Sequence, residues 1–401
     1  VENGKLKSVG STQSTQIAVR VIVEGRLGVS MTTNPEDIGE AVERALETAR
    51  FGAPVAYEYP GYAPPPEVAI HDARVASLGQ ADLVDTCRAM AARLQEADAE
   101  AEVDADVYAS ASRRRFATSA GASGDYESSS YSCSAGAQRV RGTDIFMVSE
   151  GAGRRDASFE PLALADHAAH WMRLGERFAA IGSGSMPVVF TPQAAAVLFM
   201  PLMMGISGKN VVLGSSPLSG KLGARIAAPC LTVTDDPLLD FASGSGWYDG
   251  EAAPRRRMPI VEEGVLRNFL YDLDAAARAG VPPTGHGPGC AAAHAIVAPG
   301  TTPFHDILGN IREGLLVHSV MGLGQGNTLS GAFSVNVHLG YKIEDGDIVG
   351  RVKDVMLAGN AYDALERIAA VADAAGAPGI PPWSWNYCPA IAVEGLCVTA
   401  K

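Results

Sequence analysis

The chain is poor in the residues that staple, charge or anchor a protein. Its 401 residues hold six cysteines, Cys87, Cys133, Cys230, Cys290, Cys388 and Cys397, with no CxxC pair among them. That scatter suits free thiols in a reducing cytoplasm better than a disulfide framework. Positive charge is scarce: 32 Lys and Arg face 45 Asp and Glu, for a net charge of -13. A general nucleic-acid surface needs clustered Lys and Arg and is disfavoured, so no direct nucleic-acid partner is expected. The two basic runs, Arg113 to Arg115 and Arg255 to Arg257, read as solvated strand ends. No apolar run reaches the roughly 18–20 residues of a membrane helix, which removes the membrane as a partner. The most apolar stretch, Ala194 to Ile206, runs into Gly-Ile-Ser-Gly. Ordinary catalytic signatures are missing too: there is no GxSxG, no P-loop and no HExxH. "GLGQGN" (322–327) does not follow a strand in a clear βαβ unit. The chain starts at Val1, not Met, which points to a trimmed N-terminus.

What is present is a globular composition, 47% hydrophobic and 19% charged, on a chain long enough for two domains. "QIAVRVIVEGRLGVSMTT" alternates about a Glu-Gly turn and predicts a β-hairpin. Asn34-Pro35 then starts a helix whose Ile38, Ala41, Val42, Ala45, Leu46 and Ala49 share a face expected to be buried. The Pro-rich segment 57–72 is a loop. A second helix is predicted from Gln80 to Ala97, with Leu83, Val84, Cys87, Met90 and Leu94 inward. From Ala105 to Ser149 the pattern becomes long antiparallel strands with alternating Ser, the mark of one wet sheet face. A third helix is expected over Leu162 to Ala180, then a boundary at "IGSGSMP".

The second half opens with "PVVF" (187–190) as a strand and a buried, Met-rich helix from Pro192. Hairpins follow about Glu262-Glu263-Gly264 and Asp345-Gly346, the latter with Val335, Val337, Leu339 and Tyr341 on one face. Residues 360–376 read as a helix stopped by Gly376, and the tail ends in a strand. The expected fold is α+β in two domains: 1–180, mixed α/β with an antiparallel sheet, and 181–401, mainly antiparallel β with a few helices.

Four sets of residues can carry chemistry. His167 and His170, three apart on a helix, are either a metal-binding face or a surface pair. His286, Cys290 and His294 are spaced by four and four, as metal ligands on one helix would be, but Gly287, Pro288 and Gly289 oppose a continuous helix. The other reading is a small buried thiol between loop histidines. Asp235-Asp236, before Pro237, is either an acid/base pair or a turn or helix cap. Asn327, Ser330 and Ser334 lie at the Gly-rich approach to a strand, where they can bind a peptide backbone or make turns.

Taken in order, "VENGKLKSVGSTQSTQIAVRVIVEGRLGVSMTTNPEDIGEAVERALETARFG", "MPVVFTPQAAAVLFMPLMMGISG", "GVLRNFLYD", "TGHG", "SGAFSVNVHLGYKIEDGDIVGRVKDVMLAGN" and "VEGLCV" resemble the TldD/PmbA family, long labelled "modulator of DNA gyrase". The likeness runs over nearly the whole chain. In that family the TldD-type subunit carries an HExxxH helix and a C-terminal Cys that hold zinc, and acts as a metallopeptidase. The PmbA or TldE-type subunit lacks the motif and pairs with it. The family's Gly-x-x-Gly corresponds to Gly205-Ile206-Ser207-Gly208, so Phe199, Met200 and Met204 fall at the first His, the Glu and the second His. Phe and Met offer neither imidazole nor a carboxylate base, and a thioether is a soft ligand for Zn²⁺. Pro201 is expected to disturb the helix as well. Cys388 falls near the family's C-terminal Cys.

The resemblance therefore implies the PmbA/TldE-like branch, with no catalytic or metal-binding residue of its own. It implies a non-catalytic subunit of a heterodimer that shapes a peptide-binding chamber, with zinc held by a TldD-type partner. His286, Cys290, His294 and Asn327 are the candidates to line a peptide cleft. The alternatives are a homodimeric peptide-binding or modulator protein, or an enzyme with a relocated site near His286, Cys290 and His294.

Overall fold

The computed structural model describes residues 1–158, 160–373 and 387–400. The chain is a mixed α/β protein with antiparallel sheets and a β-rich C-terminal half. It opens with the expected hairpin, β1 (Ile17–Val23) against β2 (Arg26–Thr32). Glu24 and Gly25 both adopt positive φ, 49° and 71°, the backbone of a turn that follows the strands' own twist. The Asn34 side chain caps Glu36 N, and α1 (Ile38–Ala49) follows. Only its Ala41, Ala45 and Ala49 are buried; Ile38, Val42 and Leu46 are exposed. A two-stranded hairpin is wide enough to cover the alanine stripe alone. The approach is close: a Cβ on Gly28 would lie 1.9 Å from the Ala45 carbonyl oxygen.

Beyond a short turn of helix, α2 (Ala73–Ser77), α3 spans the predicted Gln80–Ala97. A three-stranded meander of β3 (Glu102–Ala117), β4 (Ser123–Arg141) and β5 (Asp144–Arg154) comes next. One face of it, with Val103, Ala105, Tyr131, Cys133, Ala135 and Phe146, packs into a core with α3 and α4 (Pro161–Leu174). Ser128, Ser130, Ser132 and Ser134 alternate with those buried positions and form the wetter face. Helix α4 ends six residues before the expected Ala180. The following backbone is drawn to a strand instead: Ala179 N donates to Arg351 O, and Arg351 N to Arg177 O.

The C-terminal half contains, in order, β6 (Gly184–Phe190), α5 (Ala196–Gly205), α6 (Gly208–Val212), β7 (Val233–Asp235), β8 (Met258–Glu262), β9 (Val265–Leu266), α7 (Leu273–Ala279), β10 (Ala295–Val297) and α8 (Phe304–Gly309). It continues with β11 (Glu313–Met321), β12 (Ala332–Glu344), β13 (Asp347–Arg351), β14 (Val355–Asn360), α9 (Ala361–Glu366), β15 (Ile368–Val371) and β16 (Ile391–Ala400). Strands β11-β6-β16-β14-β12 are paired in that order, and β12 returns to β11, closing a ring. Among the strand pairs of the described residues, only β6 and β11 run parallel. A smaller sheet, β10-β7-β8-β9, lies beside it.

Strand β6 shows why "PVVF" is apolar throughout. Val188 and Phe190 enter a core with α5, while Val189 enters the core shared with α3, α4 and the meander. A strand buried on both faces has no polar alternation. Two helix expectations are corrected here. The stretch expected as one helix over 360–376 is helical only to Glu366; Ile368 to Val371 pairs with Val393 to Ile391 of β16. β-Branched residues beside an open strand edge pair with it rather than extend a helix. The expected stop at Gly376 lies outside the described residues. Helix α5 begins at Ala196, not Pro192, and carries Pro201 inside it without breaking. Among the described residues no helix is long and apolar enough to cross a membrane.

Candidate functional site

Helix α5 holds the positions that matter most. Val197, Leu198, Pro201 and Leu202 form its buried side. The opposite side is open: Met200 is 39% and Met204 38% exposed, and Phe199 and Met203 are partly buried. The expectation of a fully buried helix is therefore corrected. Tyr362 steadies the helix, its hydroxyl lying 3.0 Å from Pro201 O and 3.1 Å from Leu329 O. The solvent-facing groups are two thioethers, with no imidazole or carboxylate among them. Cys388 faces the core, with its thiol donating to Pro389 O, and burial pushes its pKa up. This donor set does not suit zinc.

The predicted His286, Cys290 and His294 lie in a loop, not on a helix. The structure gathers the two histidines on Asp235, which sits fully buried at the end of β7 and is not the start of a turn. His286 Nε2 is 2.8 Å from Asp235 Oδ2, and its Nδ1 is 2.8 Å from Thr284 Oγ1. His294 reaches Asp235 through its backbone, N to Oδ1 at 2.6 Å; its ring is buried and burial lowers its pKa. Cys290 stands apart, accepting from Asp272 N at 3.2 Å, with its thiol pushed up to about 11 by burial. Asp236 does make the expected turn, capping Leu238 N. Asn327 is exposed and precedes the 3-10 turn Thr328–Ser330. Of the four cleft candidates, three are buried at 3% exposure or less and only Asn327 meets solvent.

Two carboxyls that sequence reasoning passed over occupy more unusual places. Glu150 on β5 lies 3.2 Å from His167 Nδ1 of α4 and 3.1 Å from His318 Nε2 of β11. All three are buried, so His167 is neither a surface residue nor part of a pair with His170. Burial opposes the Glu150 charge, but the two imidazoles outweigh it and hold the carboxyl down to about 2. A His inside the apolar run "LLVHSV" was the available signal. Glu251 borders a cleft of about 1160 Å³ between the N-terminal hairpin, the β3–β4 turn and the loop at Gly250. Arg20, Tyr57, Tyr59, Arg114 and Phe116 also line it, and Arg20 donates to Gly250 O. Burial, reinforced by Asp272 and Asp249, raises Glu251 to about 7 against the opposing hydrogen bond from Leu273 N. A carboxyl in this state can exchange a proton near neutrality.

With this geometry in place, comparison with known proteins is decisive on family. The chain matches the PmbA/TldA metallopeptidase C-terminal domain over residues 183–400, domain 1 over 1–51 and the central domain over 74–171. The chain belongs to the PmbA/TldD family. A metalloprotease of Methanothermobacter thermautotrophicus is 32% identical over 194 residues, 46% of this chain and 42% of that protein. Metalloprotease PmbA of Escherichia coli O157:H7 is 30% identical over 185 residues, 46% of this chain and 40% of that protein. These matches span less than half the length of the curated relatives. Among solved structures, TldE from Thermococcus kodakarensis superposes with a TM-score of 0.88 at 24% identity, covering 100% of this chain and 93% of that one. A candidate modulator of a DNA gyrase from Thermotoga maritima superposes at 0.90, also at 24% identity, covering 100% and 92%. Both likenesses establish the fold.

Proposed function

We propose that the chain is the TldE-type, non-cutting subunit of a TldD/TldE-type peptidase pair. The observation that carries this reading is the outer side of α5. Where the resemblance places the ligands and base of a zinc peptidase, the chain has Phe199, Met200 and Met204, two of them facing solvent as thioethers. Without imidazole or carboxylate, these positions have no means of holding Zn²⁺ or activating water. The fold shared with TldE of Thermococcus kodakarensis supports the assignment. In this role the zinc belongs to a TldD-type partner, and this subunit helps enclose a chamber for a peptide, with Asn327 on its exposed surface. The exposed thiols Cys230 and Cys397 suit a cytoplasmic pair. The chain divides into units at 180/181, a division supported by the unmatched stretch between residues 171 and 183; limited proteolysis inside that stretch would test it.

Co-expression with an HExxxH-bearing paralogue tests the function. A one-to-one complex in gel filtration is expected, with peptide cleavage far greater for the pair than for either chain. A fully active partner that forms no complex would overturn the reading, and self-association without a partner would favour a homodimeric binding protein. Replacing Phe199→His, Met200→Glu and Met204→His together should give no cleavage, because no thiolate accompanies them.

A further inference from the structure

Most outer strands of this protein have their free edge covered. Strands β2, β3, β5, β9, β10 and β13 each carry a backbone bridge to a further segment, to Pro54, Glu2, Ala242, Arg225, Tyr387 and Phe178 in that order. Such bridges keep an unpaired edge from recruiting another chain. Strand β1 pairs with β2 on one side and, among the described residues, has no bridge on the other.

The direction of each main-chain group on that edge follows from the register. In an antiparallel pair, two opposite residues either exchange both hydrogen bonds or both turn their groups away from each other. Leu27 N donates to Ala53 O and Val29 N to Thr48 Oγ1, so both residues turn away from β1. Their opposites are Ile22 and Arg20, which therefore turn away from β2, as does Ala18 at the same phase. The two-residue turn at Glu24 and Gly25, flanked by the pair Val23 and Arg26, gives the same alternation. Among the described residues, the outward N–H and C=O groups of Ala18, Arg20 and Ile22 have no hydrogen-bond partner.

All three residues line the cleft of about 1160 Å³, and no residue of β2 does, so the cleft runs along the open edge. The end of β3 and its turn, residues 114–120, also line it. Arg20 reaches Gly250 O at 3.1 Å and Arg114 reaches Asp249 O at 3.3 Å; among the described residues neither has a carboxylate partner. Arg115 is held by Asp125. The acids of the cleft are Glu58 and Glu251, and the latter, raised to about 7, carries part of a charge at neutrality. An acid on an incoming strand therefore suits Arg20. Tyr57 and Tyr59, with rings edge to face at 5.8 Å, add apolar surface beside Phe116. A second copy of the chain fits poorly, because two β1 edges paired over their full length would set Arg20 of one copy opposite Arg20 of the other, and like charges directly opposed are destabilising.

We propose that the open edge of β1 accepts an extended peptide as a third strand, with an acidic side chain opposite Arg20. Five extended residues, about 17 Å long, match the span from Ala18 to Ile22. That the peptide is one admitted to the chamber rests on the pairing proposed above; that β1 takes a strand does not.

Calorimetric titration of the full chain with blocked pentapeptides tests this. The parent is acetyl-Val-Ala-Glu-Ala-Val-amide, compared with one version N-methylated at the second and fourth residues and one at the third. One of the two should bind at least about tenfold more weakly, since its methyl groups remove hydrogen bonds to the edge, and the other should keep the parent's affinity. Replacing the central Glu by Gln should cost about threefold to fivefold, the worth of an opposite-charge cross-strand pair. Arg20→Gln should abolish that difference and keep the methyl alternation. Ala18→Pro removes one outward N–H and no bond to β2, and Pro is tolerated at such edge positions; Tm should hold while peptide affinity falls. Should Tm fall instead, the methylated peptides still decide on the unaltered chain. Equal loss from both methylated peptides, loss from neither, or no binding at millimolar peptide would overturn the strand site. Equal affinity for the Glu and Gln peptides would overturn the role of Arg20. A chain that binds with alternation but never pairs with an HExxxH paralogue keeps the strand site and loses the pairing. A chain that pairs but shows no alternation does the reverse.

Discussion

Glu150 and Glu251 are both buried carboxyls, yet the protein treats them in opposite ways. Glu150 sits between two imidazoles and is held down to about 2; Glu251 has a backbone amide and two acidic neighbours and is raised to about 7. Burial alone would raise both. The difference teaches that the partner sets the sign and burial sets the stakes. Glu150 ties three separate elements together, β5, α4 and the ring strand β11, so its charge serves cohesion. Glu251 borders a cleft, where a carboxyl that titrates near neutrality is available to a ligand.

The largest expected break in that comparison is Glu150→Ala. It strands His167 and His318 in a buried site and should cost about 3–5 kcal/mol in urea unfolding, the usual penalty for removing one member of a buried pair. Gly287→Ala attacks the other carboxyl, because its Cβ would fall 2.0 Å from Glu251 Oε2. A loss of about 1–3 kcal/mol is expected, relieved when Glu251→Ala is added in a double-mutant cycle. The pH dependences should run in opposite directions. Glu150's folded value lies below its unfolded one, so its contribution is complete above pH 4.5 and disappears as pH falls towards 2. Glu251's folded value lies above its unfolded one, so stability declines as pH rises from 4.5 to 7. Glu251→Gln should flatten the second limb and spare the first in thermal melts across that range. The smallest effect is Thr191→Val. Thr191 Oγ1 is 3.4 Å from His318 Nδ1 and 3.3 Å from His318 O, and its removal should cost about 0.5–1.5 kcal/mol without altering the acid limb.

Much of the fold was legible because local signals were strong. Gln80–Ala97 carries a helical stripe bounded by Gly79, and the Glu24-Gly25, Glu263-Gly264 and Asp345-Gly346 turns all use positive φ. The errors arose where distant pairing overrode local preference. Arg351 draws the backbone after α4 into an extended path, and β16 converts the end of an expected helix into β15. The site was less legible for the same reason. His286 and His294 stood out in the sequence, but Asp235, more than 50 residues earlier, is what joins them. Glu150, His167 and His318 come from three elements. No spacing rule connects such residues; the chain reversals do.

The ring has a consequence for how the protein is made. Strand β16 lies between β6 and β14, so the ring's two middle edges stay unpaired until residues 391–400 have emerged from the ribosome. Strand β6 is synthesised about two hundred residues earlier; β11 reaches one of its edges sooner, but the edge that β16 covers stays open throughout that interval. Long-range pairing of this kind is slow and leaves sticky intermediates exposed. During translation, then, this half of the chain is a natural client for chaperones, and a premature stop just before β16 should yield an insoluble product, not a smaller folded one.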